Sequence, residues 1–239
     1  MRPLVIAHRG ASGTAPENTL AAFRRAEALG ADMVELDVQL TRDGAVVVLH
    51  DDSLERTTDG RGLVAEHDCA MLAGLDAGTW FSPSFRGERI PTLAAVLAAC
   101  PLAVNVELKA PGTEVLAERA IAVVRQAGAL DRVVFSSFQP SLLEAVRARE
   151  PNATLAVLWN WGPIHDALRL SERVGARAVH IRKDLVTTRA GALAAQSRVE
   201  LRAWTVNDAG EGDRLVSLGV AGLFTDFPER FLHPTPRTS

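Results

Sequence analysis

Nine short runs of mostly apolar residues punctuate the chain, at 3–8, 32–40, 45–50, 102–109, 132–138, 153–159, 176–181, 200–206 and 220–226. Helical segments fill most of the gaps between them. A strand that is apolar along nearly its whole length must be covered on both faces, which is the condition of a parallel sheet wrapped by helices. The run 45–50 follows the turn signal Asp43-Gly44 and joins the second unit, as a hairpin or as an extension. The count is then eight βα units. Eight units in 239 residues predict an α/β protein with a (β/α)8 TIM barrel rather than an open doubly wound sheet. No Gly-x-Gly-x-x-Gly follows the first run, which weighs against a dinucleotide-binding crevice.

Within that frame one domain, 1–239, accounts for the whole length. The stretch 51–91 breaks the rhythm. It is rich in Gly, Asp, Thr and Ser and reads as a small insertion after the second unit. Residues 18–29 read as the first helix, with Asn18 as its N-cap and Gly30 as its stop. In the helix after 102–109, Leu116, Ala120, Val123, Val124 and Ala127 fall on one face.

The net charge of -3, with both signs interspersed, argues against a nucleic-acid partner. Two cysteines, Cys69 and Cys100, make no metal or redox spacing and fit a reducing compartment. The N-terminal apolar run is too short for a signal peptide, and no apolar stretch is long enough to span a membrane. A cytoplasmic protein without stable membrane association is the expectation. Nothing in the sequence bears on oligomeric state.

Barrel chemistry sits at the C-terminal ends of the strands. Those ends carry His8 and Arg9, then Glu35 and Asp37, then His50 on the extension, then Glu107 and Lys109; Thr205 and Asn207 follow Trp204. Glu35 and Asp37 stand two apart on a strand and point to one face, as do Glu107 and Lys109. Val34, Leu36, Val38, Val106 and Leu108 then face the helices. Acids on the inner face of a barrel need a cation or shifted pKa values. Three converging carboxylates make a hard oxygen site suited to Mg2+ or Ca2+, and the lack of paired His or Cys disfavours zinc. Arg9 and Lys109 either neutralise these acids or hold an anion beside the metal. His67, His165 and His180 have no partner pattern and read as structural or surface residues.

The segments "AHRGASGTAPENTLAAF", "GADMVELDVQLTRDGAVVVLHDDSLERTTDG", "VNVELK", "AWTVND" and "GVAGLFTDFP" resemble the glycerophosphodiester phosphodiesterases, in order and over nearly the whole chain. The resemblance implies a (β/α)8 fold with one divalent cation (Mg2+ or Ca2+, with Mn2+ a further candidate) held by Glu35, Asp37 and Glu107. It implies His8 and His50 as the acid/base pair, Arg9 and Lys109 as a phosphate clamp, and Glu17 and Asn18 as supporting residues. Trp204 is expected as an apolar wall against the glycerol moiety, with Trp80 and Phe81 near the leaving-group side. The expected reaction is hydrolysis of a small-molecule phosphodiester, such as glycerophosphocholine or glycerophosphoethanolamine, to glycerol 3-phosphate and an alcohol. The alternatives are a phospholipase of lysophospholipase D type acting on lipid diesters, and a silent barrel that binds phosphorylated ligands.

Overall fold

The computed structural model describes residues 2–109 and 112–232. Its strands are β1 (Leu4–Ala7), β2 (Met33–Leu40), β3 (Val46–Val48), β4 (Ala103–Leu108), β5 (Val133–Ser137), β6 (Thr154–Trp159), β7 (Ala178–Arg182), β8 (Glu200–Trp204) and β9 (Val220–Thr225). The helices are α1 (Leu20–Leu29), α2 (Cys69–Leu72), α3 (Leu93–Ala99), α4 (Glu114–Gln126), α5 (Pro140–Arg149), α6 (Ile164–Val174), α7 (Thr188–Gln196) and α8 (Ala209–Ser217). Around the sheet the order is β1-β9-β8-β7-β6-β5-β4-β2-β3, and the additional β1–β2 pairing closes it. Every pair is parallel except β2–β3, where Val38 faces Val48 in an antiparallel hairpin. The barrel therefore has eight parallel strands, and β3 is the extension of the second unit.

Alternation along each strand divides the molecule into two cores. Val34, Leu36, Val38, Val104, Val106 and Leu108 point outward and pack with the helices in one continuous cluster. Ile6, Met33, Val134, Ala156, Ala178 and Phe224 point inward and fill the barrel itself. Burying each large aliphatic side chain is worth about 1.5–3 kcal/mol, so the double cover suffices to hold the strands without disulfides; both cysteines are free.

Residues 51–91 build a satellite beside the barrel, with Leu54, Val64, Leu72 and Ile90 clustered against Val47 and Leu49. On α4 the buried face is Leu116, Ala117, Ala120, Ile121 and Val124. Val123 is only half-buried and Ala127 lies past the end of the helix. The expected stripe was rotated because it omitted Ala117 and Ile121.

The start of α1 differs from expectation in a way that matters for the site. Thr19, not Asn18, is the N-cap, and its hydroxyl accepts from the Ala22 amide at 3.3 Å. Asn18 has φ +58, in the left-handed region that Asn tolerates better than most residues. That turn frees its side chain to point into the barrel mouth. Gly10 is required nearby: at φ +82, a Cβ there would stand 2.6 Å from the Ala22 Cβ. The His8-Arg9-Gly10 turn thus lies directly on α1.

Candidate active site

Glu35 and Asp37 project from β2 into the barrel mouth, and the β2–β4 register sets Asp37 beside Glu107. The three side chains bring ligand oxygens within 4.8 Å of one another. All three are buried. Such crowding is electrostatically costly, and the three acids share the cost unequally. Burial, with the Asp37 charge added to it, pushes Glu35 up to about 8. Burial and Asp37 raise Glu107 as well. Burial also opposes the charge on Asp37, yet Lys109 and Arg9 outweigh it and hold Asp37 below the usual carboxylate range.

Neighbouring groups fix these acids in place. The Arg9 amide donates to Glu35 Oε2 at 2.8 Å. Asn18 Nδ2 donates to Asp37 Oδ2 at 2.9 Å, so Asn18 orients a site carboxylate rather than capping the helix. Lys109 Nζ lies 3.0 Å from Glu107 and 3.4 Å from Asp37. The Arg9 guanidinium pairs with Glu17 at 2.8 Å and reaches within 3.4 Å of Asp37. Both cations therefore neutralise the acids here. Asn105 Oδ1 is buried without a hydrogen-bond partner in the same cavity. Clustered hard oxygens with a suppressed charge, next to an unpartnered carbonyl oxygen, fit a divalent cation.

The two histidines flank this cluster in one cavity that also contains Asn105, Phe138, Trp204 and Phe224. His8 Nδ1 donates to Asp226 Oδ1 at 2.7 Å. His50 Nδ1 donates to Asp51 Oδ1 at 2.6 Å. Each carboxylate is ionised. Burial opposes that charge on Asp226, but bonds from His8, Asn207 and Ser12 hold it at about 2. Arg56 and then His50 keep Asp51 well below the usual range. An ionised acceptor at Nδ1 sets the tautomer and leaves Nε2 of each ring for chemistry.

The environments push the two rings apart. Burial disfavours the charged form of both. On His8, the Asp226 bond and the Glu35 charge overcome it, and the pKa is raised. On His50, burial with Arg9 and Lys109 outweighs Asp37, and the pKa is lowered. Opposed shifts in one site suit a pair that divides acid and base work.

Asp226, Asn207, Asp51 and Arg56 are the residues that sequence reasoning left without a role. Asp226 ends the last apolar run and Asp51 adjoins His50, so position could have flagged both. Asn207 Nδ2 donates to Asp226 Oδ2 at 2.6 Å. Arg56 grips Glu17 with Nη1 and Nη2, both at 2.8 Å, and Asp51 with Nε at 2.5 Å. No local pattern announces that bridge.

Trp204 stands where expected, its indole Nε1 donating to His180 O at 2.9 Å, with Phe138 edge-on at 5.7 Å. Trp80 and Phe81 do not reach this cavity. They pack on one another at 5.7 Å inside the insertion, because Trp80 Nε1 is tied back to Ala77 O. His180 is fully buried against Phe224, and burial together with Arg202 keeps it neutral. His67 and His165 lie outside the cavity.

A (β/α)8 barrel with a buried carboxylate triad and two carboxylate-braced imidazoles at its C-terminal mouth has the layout of a barrel enzyme with acid/base groups beside a site fit for a divalent cation. The family model for the glycerophosphoryl diester phosphodiesterase family matches residues 8–230. A glycerophosphodiester phosphodiesterase of Caldanaerobacter subterraneus is 39% identical over 98% of both chains. Another, from Bacillus subtilis, is 33% identical over 96% of this chain and 85% of its own. Among solved structures, an Oleispira antarctica phosphodiesterase in complex with the product sn-glycerol-3-phosphate superposes with a TM-score of 0.91 at 33% identity, covering 96% of this chain and 95% of its own. The chain belongs to the glycerophosphoryl diester phosphodiesterase family. It is an enzyme that hydrolyses glycerophosphodiesters, which sets aside the silent ligand-binding barrel. No helix among the described residues is long and apolar enough to cross a membrane.

Proposed function

We propose that the chain is a divalent-cation-dependent hydrolase of small glycerophosphodiesters such as glycerophosphocholine and glycerophosphoethanolamine, releasing glycerol 3-phosphate and the free alcohol. One observation carries this reading: three buried carboxylates within 4.8 Å of one another share a cavity with two histidines. Glu35, Asp37 and Glu107 would hold Mg2+ or Ca2+, with Mn2+ as a further candidate. When bound, the cation supplies charge stabilisation at phosphorus.

The remaining work falls to side chains. Arg9 and Lys109, which stand beside these acids, would carry the phosphate charge as a clamp. Of the two histidines, one accepts the proton of the attacking oxygen and the other delivers one to the departing alcohol through Nε2. Trp204, with Phe138 beside it, forms the apolar wall against the glycerol carbons. Glu17 and Asn18 hold Arg9 and Asp37 in place. The product named for the Oleispira relative agrees with this polarity of cleavage.

The test is release of glycerol 3-phosphate from glycerophosphocholine by exhaustively chelated enzyme, before and after adding back Mg2+, Ca2+ or Mn2+ singly. Activity should vanish on chelation and return with at least one ion. Full turnover in the metal-free enzyme would end the proposal.

A further inference from the structure

The cavity above the carboxylates is only about 80 Å³, too small for a whole diester, since ligand pockets usually run to about 300–1,000 Å³. It accommodates a phosphoryl group and part of one arm. One side of it is closed by aromatic rings, with Trp204 tethered to the His180 carbonyl. A second cavity of about 340 Å³ adjoins it, and Lys109 lines both. Its walls are mostly apolar, with Leu40, Leu63, Ala65 and Leu116 contributed by β2, the insertion and α4, beside the neutral polar Gln39 and Thr113.

One carboxylate stands in that apolar cleft. Asp52 is exposed, two residues after His50, and it makes no ion pair among the described residues. Lys109 brings no free positive charge there, because its ammonium is turned to Glu107 and Asp37 and serves the phosphate in the reaction proposed above. A lone acid among apolar walls recognises a small cation that carries methyl or methylene groups.

We infer that this cleft receives the alcohol arm of the diester and that Asp52 selects arms ending in an ammonium group. The inference rests on the reaction proposed above and locates its specificity. The glycerol arm lies on the Trp204 side, and the amino-alcohol arm crosses Lys109 toward the insertion. Asp52 thereby sets which alcohol is released and takes no part in the bond-breaking step.

The experiment compares kcat/KM for glycerophosphocholine with that for the uncharged-arm diester glycerophosphoglycerol. An exposed ion pair corresponds to about 2- to 5-fold, so Asp52→Asn should lower the choline-to-glycerol ratio by about that factor. Asp52→Lys should lower it further, and Ala65→Lys should lower it from a different wall of the same cleft. In the wild type the ratio should also fall as salt is raised. A ratio indifferent to all three substitutions overturns the cleft assignment alone, as does a preference for long-chain alkyl arms over choline. Wild-type enzyme that hydrolyses neither diester would overturn the reaction reading and the cleft together.

Discussion

The two histidines are braced by the same chemistry and by very different architecture. His8 follows β1 directly, and its partner Asp226 follows the adjacent strand β9, 218 residues later in the chain. That brace belongs to the barrel, and Asn207 in the loop after β8 reinforces it. His50 lies after β3, on the hairpin extension, and its partner is the next residue. Its brace is made firm only by Arg56, which ties the insertion to Glu17 and so to Arg9. One catalytic side is held by strand register and the other by an ionic strap on a loop. A strap of that kind can be altered without disturbing the core, whereas the barrel brace cannot be moved independently of the fold.

Removing either ring should erase the difference and give the largest effect. His8→Ala and His50→Ala should each lose about 10²–10⁴-fold in kcat with folding intact, the range for general acid or base catalysis. A near-wild-type kcat in either soluble variant, checked by circular dichroism, would break the assignment. Next comes the barrel brace. Asp226→Asn should lower kcat by about 10–10²-fold, because the ring loses its tautomer and orientation. The Asp226 charge raises the His8 pKa, so the His8 limb of the pH–rate profile should move to lower pH. A limb that stays in place or moves up would show that the brace does not tune His8.

Arg56→Gln tests the strap and should cost less, about 10-fold, with the loss in kcat on the His50 side and the unfolding midpoint little changed. An effect equal to that of Asp226→Asn would remove the contrast between the two halves. The smallest change concerns the carboxylates that both halves share. Glu35 titrates near 8 in the folded, cation-free protein against 4.5 in an unfolded chain. The native state therefore holds a proton that the unfolded state has released. The stability this confers is full below about pH 4.5 and is lost as pH rises through about 8, amounting to a few kcal/mol. Thermal melts of chelated enzyme should show Tm falling across that window, and added Mg2+ or Ca2+ should raise Tm most at its upper end. A flat profile would show that Glu35 ionises normally.

Much of the site was legible because strand geometry is simple. Two acids at i and i+2 on an apolar run must share a face, and a barrel reading places that face at the mouth. His8, Glu35, Asp37, His50, Glu107 and Lys109 all line the site on those grounds. The misreadings had local causes. Asn18 precedes a helical run and has the right chemistry for a cap, but Thr19 has it too, and Asn18 instead adopts a left-handed turn and donates to Asp37 on the neighbouring strand. Trp80 and Phe81 were expected near the leaving group from their place in the insertion. Instead they pack on one another within the insertion, with Trp80 tethered to Ala77 and left exposed, away from the cavity.

By itself, the amino-acid sequence determined the elements, the inward face of each strand and the class of chemistry at the mouth, because those follow from periodicities of a few residues. Tertiary structure alone decided which groups meet. Barrel closure puts β9 beside β1, delivering Asp226 to His8, and folding of the insertion carries Arg56 to Glu17 and opens the cleft at Asp52. Hydrogen bonds and ion pairs act over a few ångströms, and distances of that size between residues far apart in the chain exist only once the chain has closed on itself.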